Sequence, residues 1–266
     1  MFIYIEQELR VDPSSLLHFG GGFIDTNVIY NEDCIKGMKK ISSNSIDLIV
    51  TDPPYKVTSR GSYGGTGGML KSELSMKGKI FENNDITPEE YLPELYRVLK
   101  PKGHCYIMTN DKNLLNFMNA VKKSKFNRYK NLIWCKNTAI TNMYYMDDRE
   151  YILFCYKGKA KKINNCGTRA TIDAKNPRNK VHDTQKPIKL MRKLIENSSK
   201  QGDIVLDPFM GSCSTAIACI QTNRKYIGYE IGEKEYKNGI KRLGKYDQTY
   251  YEELSKKERP KQKQLF

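Results

Sequence analysis

Short apolar runs rich in β-branched and aromatic residues recur along the chain, at Asn27–Tyr30, Ile46–Thr51, His104–Thr109, Asn131–Cys135, Tyr151–Tyr156, Ile204–Leu206 and Tyr226–Tyr229. Runs of this length and residue bias predict buried strands. Between most of them the apolar positions change period. In Glu89–Leu99, the residues Tyr91, Leu92, Leu95, Tyr96 and Leu99 fall on nearly one helical face, and the pattern stops before Pro101-Lys102-Gly103. Asn113–Val121 is similar, Ile188–Ile195 spaces Ile188, Met191, Leu194 and Ile195 as a helix does, and Thr215–Gln221 follows a Gly/Ser turn. Strands alternating with helices predict an α/β fold with a mostly parallel, doubly wound sheet.

Two stretches break the rhythm. Lys56–Asn84 contains Gly-Ser-Tyr-Gly-Gly-Thr-Gly-Gly and has no periodicity. A loop of that length inside a compact domain is a functional lid or is disordered. The other is Lys157–Val181, between a strand and the next helix. The expected organisation is an N-terminal extension 1–26, a first half 27–156 carrying the Gly-rich loop 56–84, a basic segment 157–181, a second half 182–245 and a charged tail 246–266.

Charge sharpens this picture. The 266 residues carry a formal net charge of +15, with 39% hydrophobic and 28% charged residues. Such an excess attracts polyanions, with nucleic acid the leading partner class, a membrane surface the second, and solubility charge the plain alternative. The excess is concentrated: Lys157–Lys193 holds twelve Lys/Arg against two Asp, ten of the net +15. That density favours a phosphate-contacting surface over a solvated loop. The seven Cys contain no Cys-x-x-Cys pair and the three His form no cluster, which reads as a reducing cytosol without disulfides or a zinc site. No apolar stretch approaches the roughly 18 residues of a membrane span, and the N-terminus lacks the pattern of a signal peptide.

Two segments carry chemistry. In Asp203–Glu230 an apolar strand leads through Asp207-Pro208-Phe209-Met210-Gly211-Ser212-Cys213-Ser214 into a helix, and the next strand ends in Glu230, 23 residues after Asp207. An acid at that strand end is where a nucleoside-binding α/β unit grips ribose hydroxyls. The alternative is a tight turn with a solvated Glu. The loop has neither the glycines of a dinucleotide site nor the Lys of a phosphate cradle, so a nucleoside with an amino-acid tail fits it better.

In the other segment, the strand Ile46–Thr51 ends in Asp52-Pro53-Pro54-Tyr55. Two prolines end the ladder, fix φ and remove two N–H donors, so Asp52 is held at the carboxyl edge of the sheet. The exocyclic amine of a base is barely nucleophilic because its lone pair is conjugated into the ring. The Asp52 carboxylate and the Pro53 carbonyl can take both amino hydrogens, freeing the lone pair to attack an electrophilic methyl in line. Tyr55 is placed to stack on the base, which in a duplex must first be rotated out. The plain alternative for Asp-Pro-Pro is an ordinary turn.

Together these motifs resemble the amino-group DNA methyltransferases, in the group whose catalytic motif precedes its cofactor motif. Thr51–Tyr55 matches the catalytic element and Val205–Thr215 the cofactor loop, with Cys213 where the family has Gly. Thr184-Gln185-Lys186-Pro187 resembles the element that helps hold the methionine end of S-adenosylmethionine. Asp33 and Cys34 lie where the family contacts the cofactor adenine, with Glu32 in place of a Gly. Tyr96–Gly103, Ile133–Asn137 and Glu150 match further elements, so the likeness spans about Val28 to Gly239.

The resemblance implies a seven-strand sheet with one strand reversed, circularly permuted motif order, and S-adenosylmethionine as cofactor. It implies methyl transfer to N6 of adenine in double-stranded DNA, since Asp rather than Ser precedes Pro-Pro-Tyr. The alternatives are N4 of cytosine, RNA, or a non-catalytic DNA-binding relative. Cofactor contacts are expected from Asp33, Cys34, Asp52, Gln185, Lys186, Pro187, Asp207, Pro208, Phe209, Gly211, Ser212, Cys213, Ser214 and Glu230. The catalytic set is Asp52, Pro53, Pro54 and Tyr55. DNA contacts are expected from Arg60, Tyr63, Lys136, Lys159, Lys161, Lys162, Arg169, Lys175 and Arg178. The basic segment is small for reading bases, so either the target is short, or the Gly-rich loop or a second subunit of a homodimer is expected to complete recognition. Gln262–Phe266 resembles the Gln-x-x-Leu-Phe type of peptide that docks on bacterial sliding clamps. The expected setting is the cytoplasm of a bacterium, with a bacterial or phage-encoded gene.

Overall fold

A computed structural model describes residues 16–19, 22–54, 86–140, 145–177 and 185–257. Tyr55, the stretch Lys56–Asn84 with Arg60 and Tyr63, Arg178, Thr184 and the Gln262–Phe266 peptide lie outside the described residues. β1 (Leu16–Phe19) and β2 (Gly22–Asp25) form an antiparallel hairpin inside the expected N-terminal extension.

The main sheet has eight strands: β3 (Val28–Tyr30), β4 (Ile46–Thr51), β5 (Leu99–Thr109), β6 (Asn127–Ile140), β7 (Asp147–Tyr156), β8 (Thr171–Asp173), β9 (Ile204–Asp207) and β10 (Lys225–Tyr229). Their spatial order is β3-β10-β9-β4-β5-β7-β6-β8. β7 is antiparallel to both its neighbours, and the other pairings are parallel. This is the expected doubly wound sheet with one reversed strand, plus one strand more than the seven expected. The addition is β8, from within the stretch read as a basic loop. Only Ile172 of its three residues is buried, and three residues are too few to show an alternating pattern.

Successive residues point to opposite faces of a strand, and two cores follow from that. Leu48, Val50, Val205, Tyr106 and Met108 face α4 (Ile188–Ser198), α5 (Ser214–Gln221) and α6 (Glu233–Lys257). Ile49, Leu206, Cys105 and Ile107 face α1 (Cys34–Lys39), α2 (Pro88–Val98) and α3 (Asp111–Lys123). α2 starts with Pro88 in its first turn, and Glu90 accepts the Thr87 N–H at 2.6 Å and its hydroxyl at 2.8 Å. α6 continues past 245, so the first part of the expected tail is helix, with Tyr236, Ile240, Leu243 and Tyr246 against the core.

Candidate active site

β4, β9, β10 and β3 are consecutive, parallel neighbours. Segments far apart in sequence therefore end on one edge of the sheet: Asp52 after β4, Pro208–Ser212 after β9, Glu230 after β10 and Asn31–Asp33 after β3. The edge is cross-tied. The buried Asp207 carboxylate accepts the Thr51 hydroxyl at 2.9 Å and the Phe209 N–H at 3.1 Å on one oxygen, and the Thr215 hydroxyl at 2.5 Å on the other. Burial pushes this carboxyl up to about 6, against those three donors. Each Asp207 oxygen is thus engaged within the chain, joining the strand of Asp52 to the Gly/Ser loop.

That loop is held from both sides. Glu230 accepts the Gly211 N–H on one oxygen and the Gly232 N–H on the other, each at 2.9 Å. Burial raises its carboxyl above the ordinary range, opposed by those amides. Arg242 of α6 donates to the Ser212 carbonyl, and to the Ser214 hydroxyl at 3.1 Å. Gly211 lies at φ +47° and Cys213, which precedes α5, at φ +61°. A non-glycine residue there costs about 1–2 kcal/mol of backbone strain.

The space for Cys213 comes from α6. A Cβ on Gly239 would lie 2.6 Å from the Cys213 Sγ and 2.6 Å from the Gly211 carbonyl oxygen. Glycine at 239 accommodates the thiol that stands where the family has glycine. Burial pushes that thiol up to about 12, so it stays protonated. Gly239→Ala is expected to destabilise the fold by about 1–3 kcal/mol and to weaken cofactor binding, because the loop backbone has to give. A thermal melt together with calorimetric titration of S-adenosylmethionine checks both.

On the other side of Glu230, Asn31 donates to the Glu230 carbonyl at 2.7 Å, fastening β3 to β10. Asp33 caps α1 by accepting the Lys36 N–H at 2.9 Å. Glu32 pairs with Lys40 at 2.6 Å. Cys34 is buried, which drives its thiol up to about 12. Tyr91 of α2 meets Phe209 edge-on, with ring centroids 5.1 Å apart.

Asp52 anchors a second cluster, of four charges from four segments. Its Oδ2 accepts from the Lys186 Nζ at 2.5 Å, Lys186 lies 3.5 Å from Glu150 of β7, and Glu150 pairs with Lys136 of β6 at 2.7 Å. Both ammonium groups lie near the face of the buried Trp134, 5.5 and 6.0 Å from its centre, and the Trp134 N–H donates to the Ala174 carbonyl at 2.7 Å. Burial raises the Asp52 carboxyl above its ordinary range, while Lys186 pulls it back. Glu150 is also raised by burial, but the two lysines outweigh that and hold it low. Asp52 Oδ1 is buried with no hydrogen-bond partner among the described residues.

The structure divides the expected DNA-contacting residues. Lys136 points into the cluster, paired with Glu150, and is not part of a basic surface. Because β7 is reversed, Glu150 lies toward the Asp52 edge of the sheet while Tyr156 lies beside His104, at the start of the apolar part of β5. The exposed Lys159, Lys161 and Lys162 follow Tyr156, about 20 Å down the sheet from the Asp52 edge, at about 3.3 Å per residue. They are anchored there: the Lys161 carbonyl lies 3.2 Å from the His104 ring, and Lys157 donates to the Tyr96 and Leu99 carbonyls. Arg169 and Lys175 are exposed and lie three residues to either side of Ile172 of β8, which pairs with Trp134, itself opposite Glu150. Reasoning from sequence missed Arg242 and Gly239, although their spacing with Tyr236 and Leu243 marks one helical face.

This geometry agrees with known proteins. A family model described as DNA methylase, of the N6/N4 methyltransferase type, matches residues 46–242. The type II methyltransferase M.HinfI of Haemophilus influenzae is 30% identical over 82% of this chain and 68% of its own length. The DNA adenine methyltransferase YhdJ of Escherichia coli K12 is 30% identical over 87% of each. Among solved structures, the M1.HpyAVI–SAM complex aligns with a TM-score of 0.61 and 24% identity, over 80% of this chain and 98% of that one. The cytosine-N4-specific PvuII DNA methyltransferase aligns with a TM-score of 0.63 and 15% identity, over 80% and 85%. The match spans both the Asp52 strand and the Glu230 loop, and the chain belongs to the N6/N4 family of DNA methylases.

Proposed function

We propose that this chain transfers a methyl group from S-adenosylmethionine to N6 of an adenine rotated out of double-stranded DNA, in the bacterial cytoplasm. The observation that carries the reading is Asp52 Oδ1, a buried acceptor without a donor among the described residues, at the edge shared with the Gly211–Glu230 loop. A buried carboxylate oxygen left open in this way is costly unless a ligand donor fills it. An amino group of a base is such a donor. In this reading the Pro53 carbonyl takes the second amino hydrogen, and Pro54 adds no N–H to compete.

The residues of the other loop suit the cofactor. Glu230 has acceptor capacity beyond its two amides for ribose hydroxyls, and the first turn of α5 presents free N–H groups toward a carboxylate. The cofactor supplies a methyl on a sulfonium. The chain holds the accepting nitrogen in line with it, keeps water out, and accepts the hydrogen bond of the departing proton.

Adenine rather than cytosine is what the family resemblance implies for Asp at position 52, and it agrees with the name of the relative YhdJ. The PvuII neighbour keeps N4 of cytosine as the second reading. Incubation with mixed-sequence DNA and labelled cofactor, followed by digestion to nucleosides, is expected to give N6-methyldeoxyadenosine. N4-methyldeoxycytidine would select the second reading, and no labelled base would remove both. Arg169 and Lys175 are read as backbone contacts beside the site. The small recognition surface supports a homodimer on DNA, which sedimentation tests. The Gln262–Phe266 peptide is read from its sequence as a clamp ligand, which peptide binding to a sliding clamp tests.

A further inference from the structure

The geometry points to Lys186 as a positioning residue for Asp52: its ammonium engages Oδ2, so that Asp52 stays an anion with Oδ1 alone aimed at the base. This rests on the methyl-transfer reading above. The family resemblance put Lys186 on the methionine end of the cofactor. Its side chain reaches the Asp52 carboxylate, 2.5 Å away, and is only 6% exposed.

The four side chains Asp52, Lys186, Glu150 and Lys136 are 6–19% exposed and alternate in sign. Fully ionised they sum to zero, so the attraction between neighbours of opposite sign offsets the cost of desolvating each one. Removing Lys186 breaks that balance where it matters most. Asp52 would then face Glu150 of β7, Asp207 of β9 and the phenol of Tyr91 in α2, with Lys136 of β6 as the remaining cation. Burial and two carboxylates would favour its protonated form, and a protonated Asp52 is a poorer acceptor for an amino hydrogen.

The transfer needs that acceptor. The N6 lone pair forms the N–CH3 bond as the S–CH3 bond breaks, its electron pair staying on sulfur as the neutral thioether S-adenosylhomocysteine. The nitrogen becomes positively charged, and its extra proton passes by way of Asp52 Oδ1 to solvent. An ionised carboxylate stabilises that charge.

The position of Lys186 is also set by the cofactor half. Its carbonyl accepts the Ser214 hydroxyl at 2.8 Å, and Ser214, the first residue of α5, is held by Arg242. The same residue therefore links the cofactor loop, through its backbone, to the base acceptor, through its side chain.

The test is the pH dependence of kcat on DNA, with cofactor affinity measured separately. The acid limb reports the titration of the whole cluster. Lys186→Met is expected to lower kcat by about 10²–10³-fold. It should move the acid limb to higher pH and leave the dissociation constant for S-adenosylmethionine within a few-fold. Lys186→Arg, which keeps the charge, is expected to bring the limb back toward the parent position. Glu150→Gln removes a like charge next to Asp52 and should move the limb to lower pH. Opposite shifts from two neighbouring substitutions are not what a merely structural role produces. An unmoved limb in Lys186→Met and Glu150→Gln, or a loss confined to cofactor affinity, overturns the proposal while the parent enzyme remains active. An inactive parent enzyme would instead overturn the methyl-transfer reading. Glu150→Gln and Lys186→Arg decide the matter if the Met variant does not fold.

Discussion

Asp52→Ala is expected to reduce methyl transfer by about 10³-fold or more, while the dissociation constant for S-adenosylmethionine stays within a few-fold of the parent value. The substitution removes the Oδ1 acceptor and leaves the Pro53 carbonyl to hold the amino group alone. The nitrogen is then neither oriented nor polarised. The cofactor loop is secured by Glu230, Arg242 and Asp207, none of which needs Asp52. Thermal stability should fall as well, by about 3–5 kcal/mol, because the buried Lys186 ammonium loses its 2.5 Å partner and keeps Glu150 at the longer distance of 3.5 Å. Initial rates with labelled cofactor, calorimetric titration and a melt separate these outcomes. A large loss of cofactor affinity with the rate preserved at saturation would place Asp52 in the wrong half of the site.

Glu230→Ala is expected to do the reverse, weakening S-adenosylmethionine by about 10²-fold and lowering the rate at saturation much less. Two charge-assisted bonds hold the Gly211 and Gly232 amides, at about 1.5–3 kcal/mol each, and the ribose acceptor is lost with them. A pH effect of definite sign accompanies this. Burial raises the Glu230 carboxyl, and the charged form is the one that accepts from both amides and sugar. Cofactor affinity in the parent protein should therefore be full well above that carboxyl's titration and fall as the pH drops through it. In Glu230→Ala that fall should disappear. Titrations from neutral to mildly acid pH check it.

The sheet was legible because apolar runs such as Ile46–Thr51 and Ile204–Leu206 are almost wholly buried, with turn-forming residues after them. The convergence of Asp52 and Glu230 was legible too, since parallel strands put their carboxyl ends on one edge. What was hidden is the work done by long-range pairings. The apolar run Tyr151–Tyr156 shows a strand, but not that its reversal carries Lys159, Lys161 and Lys162 to the far edge. α1 is only six residues long, too short for a helical period, and its cap Asp33 was read as a ligand residue. The charge of Lys136 suggested phosphate, whereas its partner Glu150 comes from the neighbouring strand. Asp207 shows the limit most clearly: its position at a strand end is visible in the sequence, but the Thr51 and Thr215 hydroxyls that occupy it are not.

The central claim is that one oxygen of Asp52 takes the amino hydrogen of an extruded base while Lys186 holds the other. A crystal structure of the protein with a non-reactive cofactor analogue and duplex DNA tests it most directly. The account predicts an adenine out of the helix, its N6 about 2.9 Å from Asp52 Oδ1, with Oδ2 still on the Lys186 ammonium. A base amino group bonded elsewhere, with Asp52 turned from it, would contradict the account.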